Sequence, residues 1–314
     1  MITHQRWRIV AAGLAAACSL LACGGGGSSS PAGTQPVSIL PQEPGAPAMV
    51  NNVSTDGANW INYRRAQIGM PVLTRNALID RAAQGHSDYQ KANDTVTHDQ
   101  TPGKPGFTGA HLLDRLKAAD YTFANASYAY GEVISATTNN SGFFMAEELI
   151  TAIYHRFVIF EPQFKEIGTG SATTSAGYTY FTSDFAANNG YGPGLGQGGL
   201  VAWPFNGQTK VVPNFFSDYE SPDPVAGVNE VGYPVSVHAD INATVAVQSF
   251  TLRPRGGADV AVKLLKAGSD PDTPKSAAAI VPLAVLKANT IYDVSFSGTV
   301  DGVAVSRSWF FTTK

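Results

Sequence analysis

The sequence predicts an α+β protein in two parts, a domain mixing helices and strands followed by an all-β one. Apolar residues recur at helical spacing between positions 60 and 154. From about Leu200 that period disappears, and short alternating runs set off by Pro, Gly and Asp turns replace it. Between them, residues 188–199 are dense in glycine and read as a linker. That stretch carries no Lys-Ser/Thr, so it is not a phosphate loop. At 314 residues the chain is long enough for two ordinary cores. Charged residues make up 14% and hydrophobic ones 44%, which suits an exported, loop-rich protein and excludes a disordered one.

Residues 1–22 read as a signal peptide, with Arg6 and Arg8 ahead of an apolar run too short to span a bilayer. The sequence Leu20-Leu21-Ala22-Cys23-Gly24 resembles a bacterial lipobox, the alternative being an ordinary small-residue cleavage site. That resemblance implies a lipidated Cys23 at the head of the mature chain. Gly24, in place of the Asp that signals inner-membrane retention, implies the outer membrane. Cys18 and Cys23 are the only cysteines, so the mature domains hold no disulfide. Without residues 1–22 the chain keeps 19 basic and 24 acidic residues, a net charge of −5. With no Lys/Arg cluster, nucleic acid is excluded as a partner. With no second long apolar run, the lipid anchor is the expected membrane contact. Residues 23–49, the lipidated cysteine and then Gly, Ser and Pro, form a flexible tether spanning roughly 30 Å.

The first domain takes residues 50–187. Trp60, Ile61, Arg64, Arg65 and Ile68 predict a helix that Gly69 stops. A second helix over 76–92 puts Leu78, Ala82, His86 and Tyr89 on one face. His86 there reads as a packed histidine bonded to a backbone carbonyl, and His111 further on as surface. Leu112, Leu113, Leu116 and Ala119 make a third helical stripe, with Asp120 tolerating the left-handed cap. A helix over 143–154 carries Glu147 and Glu148 on what reads as a solvated face. Residues 166–170 and 177–185 read as paired strands.

Thr97-His98, Tyr130-Gly131-Glu132, His155-Arg156 and Ile167-Gly168-Thr169-Gly170 follow in that order, with thirteen positions from His155 to Gly168. Ahead of them stands Asn62-x-x-Arg65-x-x-x-Gly69. Together these resemble the CAP superfamily, the cysteine-rich secretory, antigen 5 and pathogenesis-related 1 proteins, in its short bacterial branch. The resemblance covers residues 50–187 and implies an α-β-α sandwich with a pocket made by His98, Glu132 and His155. The chain departs from the pattern at Val133, where the family has Asn. It also has Leu149 and Ala152 where longer members have a Trp and a second Glu.

The second domain takes residues 200–314, with strands expected over 235–239, 245–252, 260–265, 280–283, 290–299 and 306–312. Asp301-Gly302 is a hairpin turn. About seven strands in roughly 110 residues predict an immunoglobulin-like sandwich, and the C-terminal strands resemble bacterial Ig-like envelope modules. No catalytic constellation appears in it, and His238 reads as exposed on a strand.

Two imidazoles and a carboxylate suit zinc or another divalent metal with one open position. Such binding should weaken below about pH 6 as the imidazoles protonate. The reading adopted is a non-catalytic CAP-domain lipoprotein, with a His/Glu pocket and a cleft for a lipid, sterol or cell-wall ligand. The alternatives are a metal-assisted hydrolase of the envelope and a serine-type hydrolase using Ser87 or Ser183, though no Gly-x-Ser-x-Gly elbow is present. The last is an adhesion or scaffold protein with a vestigial pocket.

Overall fold

A computed structural model describes residues 43–124 and 127–314, and the backbone of residues 4–11. Cys23 and most of the tether lie outside the described residues. The helices are α1 (Val53–Gln67), α2 (Ala77–Asn93), α3 (Leu112–Ala118), α4 (Gly142–Thr151) and α5 (Ile153–Ile159). Strands β1 (His4–Ala11), β2 (Thr74–Arg75), β3 (Tyr128–Thr137), β4 (Glu166–Thr173) and β5 (Thr179–Ala187) belong to the first domain. Short strands follow: β6 (Val201–Trp203), β7 (Gln208–Val211), β8 (Asn214–Phe216), β9 (Glu220–Ser221) and β10 (Glu230–Gly232). The longer run is β11 (Val235–His238), β12 (Val245–Pro254), β13 (Val262–Lys266), β14 (Ala277–Pro282), β15 (Ile291–Val300) and β16 (Val303–Thr313). Among the described residues no helix is long and apolar enough to cross a membrane.

The opening helix behaves as its sequence asks. Asn52 caps it by accepting from the Thr55 amide, and Gly69 takes a φ of +75° just past its end. Asn62 exchanges two hydrogen bonds with the Leu73 backbone, and Arg65 donates to the carbonyls of Pro71, Ile159 and Glu161. Asp120 adopts a left-handed φ of 64° after α3.

One sheet, in the order β2-β4-β5-β3-β1-β9, separates two helical layers. Strand alternation decides which side chain meets which layer. On one face Tyr130, Ala186 and the close-packed Gly168 and Gly170 meet α2 and α3. A Cβ at Gly168 would lie 2.3 Å from the Asp80 nitrogen, and one at Gly170 would lie 2.2 Å from that of Gln84. Only glycine lets α2 sit this near the strand. On the other face Val133, Ile167, Phe181 and Phe185 pack with residues of α1, α4 and α5. This is the α-β-α sandwich.

The all-β region holds two four-stranded sheets, β13-β14-β11-β6 and β12-β15-β16-β7. Val235, Val237 and Ile280 of one share a core with Phe250, Leu252, Phe296 and Phe311 of the other. Asp301 and Gly302, with φ of 52° and 79°, form the hairpin turn between β15 and β16.

The two regions are fused rather than strung on a loose linker. Phe160 of the first meets Trp203 of the second at 5.2 Å between ring centroids. Arg156 donates to the Pro234 carbonyl at 2.7 Å. Within the glycine-dense stretch, Asp240 accepts from the amides of Leu195 and Gly196. His238, expected on the surface, is instead buried at 2% exposure. Its ring stands edge-on to Phe157 and Phe160, and Nε2 lies 2.9 Å from Ser236 Oγ. The reason is that every residue of β11 is buried. Burial, then the charges of Arg156 and Arg65, hold this imidazole well below its ordinary pKa.

Strand β1 falls inside the stretch read as a leader. It runs parallel to β3 and pairs with β9 at its end. Cleavage ahead of Cys23 would remove it and leave the outer edge of β3 without that neighbour.

Candidate functional site: a buried histidine–carboxylate cluster

Glu132 points from the middle of β3 toward the α2/α3 layer and is 1% exposed. His98, on the segment between α2 and α3, donates from Nδ1 to Glu132 Oε1 at 2.7 Å. Arg115 on α3 reaches Glu132 Oε2 at 2.5 Å and the His98 carbonyl at 2.8 Å. One guanidinium thus binds the carboxylate and the backbone of the residue that shares it. Burial alone would raise the Glu132 pKa, but the Arg115 charge, followed by the neighbouring histidines, holds it far below the carboxylate range.

His86 of α2 completes the layer, with Nε2 at 4.0 Å from Glu132 Oε2. Nε2 bonds the Thr97 carbonyl at 2.7 Å and Nδ1 receives the Gln100 amide at 3.0 Å. These partners assign the proton to Nε2. Burial, only partly offset by Glu132, pulls the His86 pKa down to about 4, so it is neutral at pH 7. The packed-histidine expectation describes this geometry.

Asp184 stands opposite Glu132 on β5, on the same face. It is fully buried, and neither carboxyl oxygen has a hydrogen-bond donor. Burial and then the Glu132 charge push its pKa well above the carboxylate range. The two facing carboxyls are therefore driven in opposite directions, Glu132 down and Asp184 up. His98 Nε2 and Arg115 Nε are also buried without a partner, so four polar atoms here lack one.

His155 does not join this cluster. It lies on α5, across the sheet from Glu132. Its Nδ1 bonds Glu220 Oε1 at 2.9 Å, and both residues are fully shielded from solvent. The Glu220 carboxylate, from β9, also accepts the amides of Ile153, Tyr154 and His155 at 2.7–3.1 Å. Ala152, at the N-cap of α5, offers no side-chain acceptor, so a residue of the second region caps a helix of the first. His155 and Arg156 are therefore joints between the regions.

The set His98, Glu132 and His155 does not fit one metal ion. Glu132 has each oxygen on a protein donor, and the sheet stands between it and His155. Among the described residues no three or more His, Cys, Asp or Glu are grouped to hold an ion. Titration with zinc should accordingly give the same isotherm for the wild type and His155→Ala. A loss of affinity of about tenfold or more in the variant would return His155 to a ligand set.

The serines considered as nucleophiles are also placed. Ser87 Oγ donates to Thr182 Oγ1 at 3.0 Å, and Ser183 lies on the face away from His98. His111 is exposed and pairs with Asp99. Of the aromatic residues considered for a cleft, Phe143 and Phe157 are core, Tyr128 stacks on Phe123, and Tyr130 is tilted against the same ring.

Glu147 and Glu148 are not on a solvated face. Glu147 accepts from Trp60 Nε1 at 2.7 Å and from Arg64 Nε at 2.8 Å. Glu148 accepts from Ser135 Oγ at 3.1 Å, and burial raises its pKa despite that bond. Contacts within the first domain, to α1 for Glu147 and to β3 for Glu148, leave both half-buried. Between α4 and that region runs a cleft of about 310 Å³, with Phe144, Glu148, Val212, Phe215, Phe216 and Tyr219 among its walls.

Arg115, Asp184 and Glu220 are functional or joining residues that sequence reasoning missed. Strand parity held a signal for Asp184, two positions from Ala186 on the inner face. Arg115 interrupts an apolar stripe. Nothing local marks Glu220.

A sheet between α2/α3 and α1/α4/α5, carrying a buried His–Glu pair and fused to an all-β region, defines a two-part α-β-α sandwich protein. Residues 58–185 match the model of the CAP family, described as the cysteine-rich secretory protein family. Residues 58–185 thus form a CAP domain within the longer chain. It is similar in structure to an extracellular protein containing an SCP domain from Bacillus anthracis. That match has 24% identity, covers 42% of this chain and 39% of that one, and has a TM-score of 0.35. It is also similar to an outer surface protein from Borrelia burgdorferi, at 14% identity, 42% of this chain, 90% of that one and a TM-score of 0.35. No curated protein matches the chain.

Proposed function

We propose that the protein is an exported binding module of the bacterial envelope, anchored through a lipidated Cys23, that holds an amphiphile without transforming it. The observation that carries this reading is the cleft at the seam of the two regions. A hollow of about 310 Å³ in which aromatic and aliphatic walls meet Glu147, Glu148, Thr151, Asn214 and Lys314 suits an amphiphile, with an apolar body and a polar end. The His98–Glu132 pair supports a non-catalytic reading. Its carboxylate is held by Arg115, the pair is buried, and neither candidate serine is placed to use it.

Binding of the neutral probe N-phenyl-1-naphthylamine, followed by fluorescence, tests the reading. The protein should enhance its emission, and octanol should displace it. Phe216, 40% exposed at the cleft wall, should matter. Phe216→Ser should weaken the probe by about tenfold, as expected for loss of most of a buried phenyl group. Unchanged binding in that variant, or ester hydrolysis abolished by His98→Ala, would overturn the proposal.

A further inference from the structure

We infer that the seam cleft selects an apolar ligand bearing a positively charged amine or ammonium group, with Glu148 as its counter-ion and the rings of Phe144, Phe216 and Tyr219 around it. This rests on the reading of the cleft as the binding site and names the chemistry of what enters it.

Two carboxylates line the cleft, and they differ in their commitments. Glu147 is already engaged, accepting from the Trp60 indole and from Arg64, a guanidinium it shares with Glu43. Glu148 has the Ser135 hydroxyl and, among the described residues, no cation within ion-pairing distance. Burying a carboxylate without a counter-ion is costly, so a ligand cation supplies an interaction that the fold does not. Lys314 also lines the cleft, but it is exposed and screened by water, and it forms no ion pair with Glu148.

The walls favour the same class. Phe216 and Tyr219 both line the hollow and lie 5.4 Å apart between centroids. Ring faces attract cations, and an ammonium carrying methyl groups gains from both the rings and the apolar wall. A fatty acid would set its carboxylate against Glu148. A neutral alcohol would gain only the apolar contact.

Calorimetric titration of the purified protein with octyltrimethylammonium, octanol and octanoate, below micelle-forming concentrations, tests this directly. The cation should bind at least about tenfold tighter than octanol, and octanoate more weakly than octanol. In Glu148→Gln the cation's advantage should fall to within about twofold while octanol binds as before. Phe216→Leu, which keeps bulk and the carboxylate, should cost the cation about threefold and octanol less. Equal affinities for the three probes, or octanoate binding tightest, would overturn the inference and leave the seam-cleft reading standing. Binding of none would remove both.

Discussion

Replacement of Glu220 by alanine is expected to destabilise the protein by about 3–5 kcal/mol, because it leaves several buried donors without their acceptor. Four hydrogen bonds end on this carboxylate, three from amides of the first turn of α5 and one from the His155 ring. Alanine would leave all four donors buried and unsatisfied, and an exposed cap alone contributes only ~1 kcal/mol. The loss should also appear as decoupling, with the helical domain and the all-β region melting in separate steps by calorimetry. Glu220→Gln keeps an acceptor oxygen and should lose less. A single transition at the wild-type temperature in Glu220→Ala would show that the cap does not join the regions.

The second large effect is expected at Arg115. Arg115→Leu removes the cation from a carboxylate that is 1% exposed and faces a second carboxyl. The expected cost at pH 7 is again about 3–5 kcal/mol. The penalty should shrink in acid, because Glu132 can then take up a proton. Linkage gives the sign. The folded-state pKa of Glu132 lies below its unfolded value, so its contribution is present above the ordinary carboxylate range and lost as pH falls toward the folded pKa. Asp184 has the opposite sign. Its pKa is raised in the fold, so its contribution is full below about pH 4 and lost as pH rises toward the folded value. Asp184→Asn should therefore gain on the wild type from about pH 4 upward. Urea unfolding at several pH values reads both. A pH-independent difference for either variant would contradict the opposed shifts of the two carboxyls.

Much of the fold was legible because local patterns carry it. Gly69, Asp120 and the Asp301-Gly302 turn adopt the backbone that their residue types favour. The strands from β11 onward lie near their expected positions because alternation and turn residues bound them. The short strands β6 to β10 were not legible. Two to four residues show no period, and these strands are set by pairing with distant partners.

The site was legible in part, for a different reason. The spacing of His98, Glu132 and His155 states their order along the chain and not which side of a sheet each one faces. Glu132 meets His98 because β3 alternation turns it toward α2 and α3. His155 rides on α5 in the opposite layer, where the all-β region covers it. Any reading of the first domain in isolation therefore leaves its hydrogen-bond partner, Glu220, out of view. Packing of β11 against α5 likewise explains why His238, polar and read as exposed, is enclosed.

A pair of double-mutant cycles measures the central assignment, that His155 belongs to the joint and not to the pocket. Unfolding free energies of His155→Gln and Glu220→Gln, singly and together, should show a coupling of about 1–3 kcal/mol. The matching cycle of His155→Gln with Glu132→Gln should be additive within about 0.5 kcal/mol. Additivity in the first cycle with coupling in the second would place His155 beside Glu132 and contradict the account.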